Sequence, residues 1–176
     1  MREPMTAADT DAVTAQLHRA PRDVEAVAFR CPCGNPAVVA TQPRLSDGTP
    51  FPTTYYLTCP RATSACSTLE SHGVMAEMAS RLAEDEELAA AYARAHTAYL
   101  QDRETLGHVP EIAGVSAGGM PTRVKCLHAL VGHALAAGPG VNPLGDEALA
   151  EIGDFWTTPC LTDGHDAHDQ PVGQQP

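Results

Sequence analysis

Three runs rich in β-branched and aromatic residues follow one another between Val24 and Cys59: VEAVAFRC, PAVVATQPRL and TTYYLTC. The turn-forming strings CGNP and SDGTPFP separate them. Side chains of this kind suit a pleated, half-buried surface, and clustered Gly, Pro, Asn and Asp reverse the chain between such runs. Three short antiparallel strands are therefore expected.

The pattern then turns helical. From Ser64 onward STLESHGVMAEM, interrupted by Gly73, leads into DEELAAAYARAHTAYLQDRETLG, where Leu88, Tyr92, Ala95, Tyr99 and Leu106 fall on one stripe and Gly107 suits a C-cap. An earlier helix is expected over residues 7–19, with Thr6 as N-cap and Pro21 as its stop. A later one runs from Thr122 through Leu135, ended by Gly138 and Pro139, and a short last helix lies around Asp146 to Ile152 with Asp146 as its cap. The fold class that follows is α+β and helix-rich.

At 176 residues with 43% hydrophobic content the chain has the length of one domain, placed at residues 1–156. Aromatics are only 5%, so the core must be built mainly of Ala, Leu and Val. Residues 157–176 carry no apolar periodicity and are expected to be a disordered acidic tail. His165 and His168 beside Asp163, Asp166 and Asp169 make a solvated tail there rather than a cation site.

The net charge of −11 is unevenly spread. Residues 146–176 hold seven acids and no Lys or Arg, whereas residues 26–145 hold ten acids against eight bases. An acidic end without a basic patch argues against nucleic acid or anionic lipid as partner. No window approaches a membrane span, and the first residues lack the apolar core of a secretory signal, so a cytoplasmic location is expected. In that reducing setting the six cysteines read as free thiols, ligands or reactive groups rather than a disulfide framework.

CPCGNP at Cys31 and Cys33 is one residue short of the two-thiol turn that grips zinc, and TCPRA offers Cys59 followed by Pro60. Each turn supplies one good thiol. The string RVKCLHALVGH, Arg123 to His133, adds Cys126, His128 and His133. Cys126 and His133 lie two turns apart on an ideal helix, roughly 10 Å along its axis, so Cys126 pairs more easily with His128 if it sits in an irregular first turn. Cys31, Cys59 and Cys126 with His128 or His133 form a Cys₃His set suited to zinc, with an iron–sulfur cluster as the alternative cofactor. Against this stands the plain reading of buried cysteine as a small hydrophobe and histidine as a boundary residue.

Lys125 supports a different chemistry. It is the only lysine among eleven basic residues, and with Arg123 it flanks Cys126 near a helix start. Positive charge there would lower the thiol pKa and attract an anion, giving Cys126 and Lys125 as catalytic candidates and Arg123 and Lys125 as anion-binding ones. His96, Tyr99 and Arg103 form a polar row on the long helix that core-edge packing explains equally well.

The strings RCPCGNPAVVATQPRL, DGTPFPTTYYLTCP, LESHGVMAEM, AHTAYLQDR, GGMPTRVKCLH and GPGVNPLGD together resemble the domain-of-unknown-function family 501, found mainly in high-GC Gram-positive bacteria. The resemblance covers approximately residues 13–150, with QLHR departing from the family's expected Gly before the arginine. It implies no activity, substrate or catalytic residue. The family's gene context, near a septum-formation initiator and an exopolyphosphatase-type enzyme, implies division or envelope proteins as partners. The expectation carried forward is a cytoplasmic zinc-binding protein of structural or regulatory role, with a thiol- or lysine-dependent enzyme or anion binder, an iron–sulfur protein and a division-linked adaptor as rivals.

Overall fold

The structure is a computed structural model and describes residues 2–161. Four strands, β1 (Glu3–Pro4), β2 (Val24–Arg30), β3 (Pro36–Thr41) and β4 (Tyr55–Leu57), pair antiparallel in sequence order. Six helices accompany them: α1 (Ala7–Leu17), α2 (Pro60–Ser71), α3 (Val74–Glu84), α4 (Glu86–Glu104), α5 (Leu127–Ala137) and α6 (Pro143–Ile152). The α+β expectation holds, and three of the strands are those read from the sequence. The fourth, β1, is two residues long and contains Pro, too little to leave a pattern.

All six positions of β3 are buried, so both of its faces are covered. Helix α1 packs on it from one side and α5 from the other. Gln16 of α1 donates from Nε2 to Pro36 O at 2.8 Å. Helix α5 reaches the sheet through Gly132, where a Cβ would stand 3.2 Å from Tyr55 O. The start of α6 is pressed as closely on α5, since a Cβ at Gly145 would meet Ala134 Cβ at 2.9 Å and the Leu130 carbonyl still closer.

Helix α1 begins at Thr6 as expected, in a reciprocal capping box with Asp9. It stops at His18, in the left-handed region at φ 55°, before Pro21 can act. Asp9 also accepts from Arg30 Nη1 of β2 at 2.6 Å, pinning the helix to the sheet. Helix α4 starts at Asp85, which accepts from the N–H groups of Glu87 and Leu88, and ends at Glu104, before Gly107. On its inner stripe Tyr92, Ala95 and Tyr99 are fully buried, joined by Arg103, whose guanidinium donates to the carbonyls of Ile112 and Val115.

Helix α5 starts five residues later than the sequence suggests. The stretch before it is folded into turns in which the Arg123 N–H bonds Gly119 O and the Lys125 N–H bonds Gly118 O. The cap of α6 is Asn142, which accepts from the Gly145 N–H; Asp146 accepts instead from the Gly140 N–H. The part of the expected tail from residue 162 onward, with His165 and His168, lies outside the described residues. Residues 157–161 fold back against the body, with Cys160 buried. Among the described residues no helix is long and apolar enough to cross a membrane.

Candidate metal centre

Helices α2 and α5 meet where the last turn of one faces the first turn of the other. Cys126 is the N-cap of α5, with extended backbone and no side-chain capping bond of its own. The cap is supplied from across the interface: Glu70 of α2 accepts from the Leu127 N–H at 2.7 Å through Oε1. A carboxylate at a helix N-terminus satisfies an orphan donor and complements the helix dipole.

His128 completes the group. Its Nε2 lies 3.1 Å from Thr63 O and 3.3 Å from Ser67 Oγ, and its Nδ1 lies 3.1 Å from Glu70 Oε1 and 3.9 Å from Cys126 Sγ. Because a carbonyl only accepts, Nε2 carries the hydrogen, and a neutral ring then turns the Nδ1 lone pair toward a carboxylate. Only a second proton or a cation relieves that contact. Glu70, Cys126 and His128 each offer a donor atom, all within 4.8 Å of one another, in the one such group of three or more among the described residues. The Glu70 and His128 side chains are 24% and 29% exposed, so the group is open to solvent on one side.

The electrostatics follow from this geometry. The Cys126 thiol holds the imidazolium of His128 up to about 9, burial opposing and Glu70 assisting. The same imidazole draws the Cys126 thiol below its usual value. Cys66, buried in α2 beside Glu70 and Cys126, is pushed up to about 12 by burial and stays a neutral thiol.

A family model described as Protein of unknown function (DUF501) matches residues 27–150. The chain belongs to this family. No curated protein and no solved structure matches it. Within the matched span of this DUF501 chain lie the second half of β2, β3, β4, α2 to α5 and most of α6, hence all three donors of the group.

Of the ligands expected from the sequence, only Cys126 and His128 come together, and Cys126 does sit in the irregular start of its helix. Cys31 and Cys59 are buried at the end of the sheet and stand outside the donor group. The Cys31 N–H donates to Asn35 O, and Cys59 is the N-cap of α2. His133 also stands apart, fully buried, its ring stacked on Tyr55 and edge-on to Tyr99, with Nδ1 3.2 Å from Asn142 Nδ2. Arg123 and Lys125 are exposed and make no side-chain hydrogen bond among the described residues; His128, not the Lys125 ammonium, is the first cause of the lowered Cys126 pKa. In the polar row of α4, His96 meets Ser116 Oγ at 2.9 Å and the Tyr99 hydroxyl accepts from the Thr54 N–H, both packing roles.

The residue that sequence reading missed is Glu70. Nothing local marks it, because its partner is a helix end more than fifty positions away. An α5 N-cap lacking Ser, Thr, Asp or Asn was the available sign that a capping group had to come from elsewhere.

Proposed function

We propose that this DUF501 chain is a small zinc-binding protein in which Glu70 Oε1, Cys126 Sγ and His128 Nδ1 hold the ion and tie α2 to the start of α5 in a structural or regulatory role. The observation that carries the reading is the orientation of His128. A ligating histidine donates its other ring N–H to a carbonyl or carboxylate, which fixes the tautomer, and Thr63 O accepts that hydrogen here. Mixed oxygen, nitrogen and sulfur donors suit zinc, and three protein ligands leave a fourth position for water or a partner's side chain. An iron–sulfur cluster is disfavoured, because clusters are held mainly by thiolates and this group contains one.

Protein purified without a histidine tag should carry about one equivalent of zinc by elemental analysis, and the ion should raise the melting temperature. Cys126→Ser, His128→Ala and Glu70→Gln should each weaken retention, whereas Cys31→Ser should keep it. Failure of added zinc to bind or to stabilise the purified chain would overturn the assignment.

A second reading rests on the mutual shifts of Cys126 and His128: a thiolate–imidazolium pair is the arrangement of a nucleophilic cysteine. In that case alkylation at neutral pH outpaces reaction at Cys66, and zinc gives no protection.

A further inference from the structure

A second sulfur-rich neighbourhood lies at the far end of α2, where β2 turns into β3. Cys31 and Cys33 occupy that turn, Cys59 follows β4, and Cys160 arrives from the segment after α6. Cys33 Sγ stands 3.5 Å from Cys160 Sγ. Asn35 Nδ2 donates to both sulfurs, at 3.7 and 3.6 Å, and Gln16 Nε2 donates to Cys160 Sγ at 3.4 Å. These thiols are not a coordination sphere, since among the described residues no three of them fall within 4.8 Å of one another. They form a pair, with a third thiol, Cys31, two residues before Cys33 in the same turn.

We propose that Cys33 and Cys160 are an oxidation site, Cys33 reacting with a hydroperoxide and Cys160 resolving the product as a reversible disulfide. Access sets the roles. Cys33 is half-buried between exposed Pro32 and Gly34, whereas Cys160 is buried at the edge of a surface pocket of about 500 Å³. Charge agrees with access. Burial pushes the Cys33 thiol up, but the backbone amides of Cys160 and Asn35 and the neighbouring Cys31 and Cys160 thiols favour its thiolate and bring it down to about 6. Burial drives Cys31 and Cys160 the other way, so of these three thiols Cys33 is the one that ionises first.

The Cys33 thiolate attacks the terminal peroxide oxygen; an S–O bond forms, the O–O bond breaks, and the departing alkoxide or hydroxide takes a proton from water. The Cys160 sulfur then attacks the Cys33 sulfur of the sulfenic acid. An S–S bond forms, the S–O bond breaks, and the hydroxide leaves as water with the Cys160 proton. Two thiols lose two electrons to one hydroperoxide, giving a disulfide, an alcohol or water, and a further water. The bond fastens the segment after α6 to the β2–β3 turn.

This inference does not rest on the zinc site, and its test is separable from it. The reduced full chain is treated with about one equivalent of hydrogen peroxide, its remaining thiols are blocked, and the peptides are mapped by mass spectrometry. The expected result is a Cys33–Cys160 linked peptide, reversed by dithiothreitol and formed equally in His128→Ala. In Cys160→Ser, dimedone should label Cys33. Without oxidant, alkylation of Cys33 near neutral pH should run about tenfold or more faster than that of Cys66. A Cys31–Cys33 link, oxidation spread evenly over the six thiols, or zinc retained on these sulfurs and lost in Cys33→Ser would each overturn it.

Discussion

His133 should make the protein acid-sensitive in a window that carboxylates do not reach. The imidazole is fully buried against Tyr55 and Tyr99, and its Nε2 has no hydrogen-bond partner among the described residues. Burial holds its pKa down to about 4 against an ordinary 6.5, with Asp102 opposing weakly. A histidine kept neutral in the fold but free to protonate when unfolded contributes stability that is present above 6.5 and lost as pH falls toward about 4. At about 1.4 kcal/mol per pH unit, the loss between neutrality and the lower value is about 3 kcal/mol, a large share of an ordinary domain's stability. The perturbation is His133→Phe, which keeps a ring in the stacked and edge-on contacts and cannot titrate. Near pH 7 the variant should lie within about 1 kcal/mol of the parent, because losing the Asn142 hydrogen bond is offset by removing an unpaired buried N–H. Near pH 4 it should be the more stable of the two. Urea unfolding curves at a series of pH values measure the difference directly, and parallel pH dependences for parent and variant would refute the reasoning.

Gly145→Ala tests the α5–α6 contact by its sign. In a helix the change is intrinsically favourable by about 1 kcal/mol, yet the added methyl meets the Leu130 carbonyl and Ala134, so a net loss of about 2 kcal/mol is expected in urea unfolding. A stabilised variant would mean that the helices are not pressed together there. Asp9→Asn addresses the α1 anchor. The Arg30 guanidinium beside Asp9 holds its carboxyl down to about 2 from 3.8, so the parent has about 2 kcal/mol that is present above 3.8 and lost as pH falls through the lower value. Acid unfolding followed by circular dichroism should be flatter across that interval in the variant, and an unchanged profile would remove the Asp9–Arg30 pair from the account.

The periodicity in the sequence carried most of the fold because the strands and helices that it marked are built from their own residues. VEAVAFR, PAVVAT and the long α4 needed no distant partner to announce themselves. What escaped was settled by contacts between distant segments. Arg103 reads as a polar residue at a core edge but is buried, because the carbonyls of a neighbouring loop accept its hydrogens. His133 and Cys126 share one short string, yet helix geometry sends the first into the sheet and leaves the second at the helix mouth. Of the expected Cys₃His set, Cys126 and His128 meet, and the sheet-end thiols stand elsewhere. The set required those thiols to reach α5, when the carboxylate that does reach it comes from the other end of α2. Cys33 reaches Cys160 because residues 31–34 close a turn, the Gly34 N–H donating to the Cys31 carbonyl at 2.8 Å, instead of continuing the strand.

Helix α2 also sets a distance. From Cys59 at its N-cap to Glu70 in its last turn the rise is about 17 Å, roughly two screening lengths at physiological ionic strength. Charge gained or lost at one pole is thus largely screened from the other, so the zinc and disulfide experiments probe opposite ends of one helix independently.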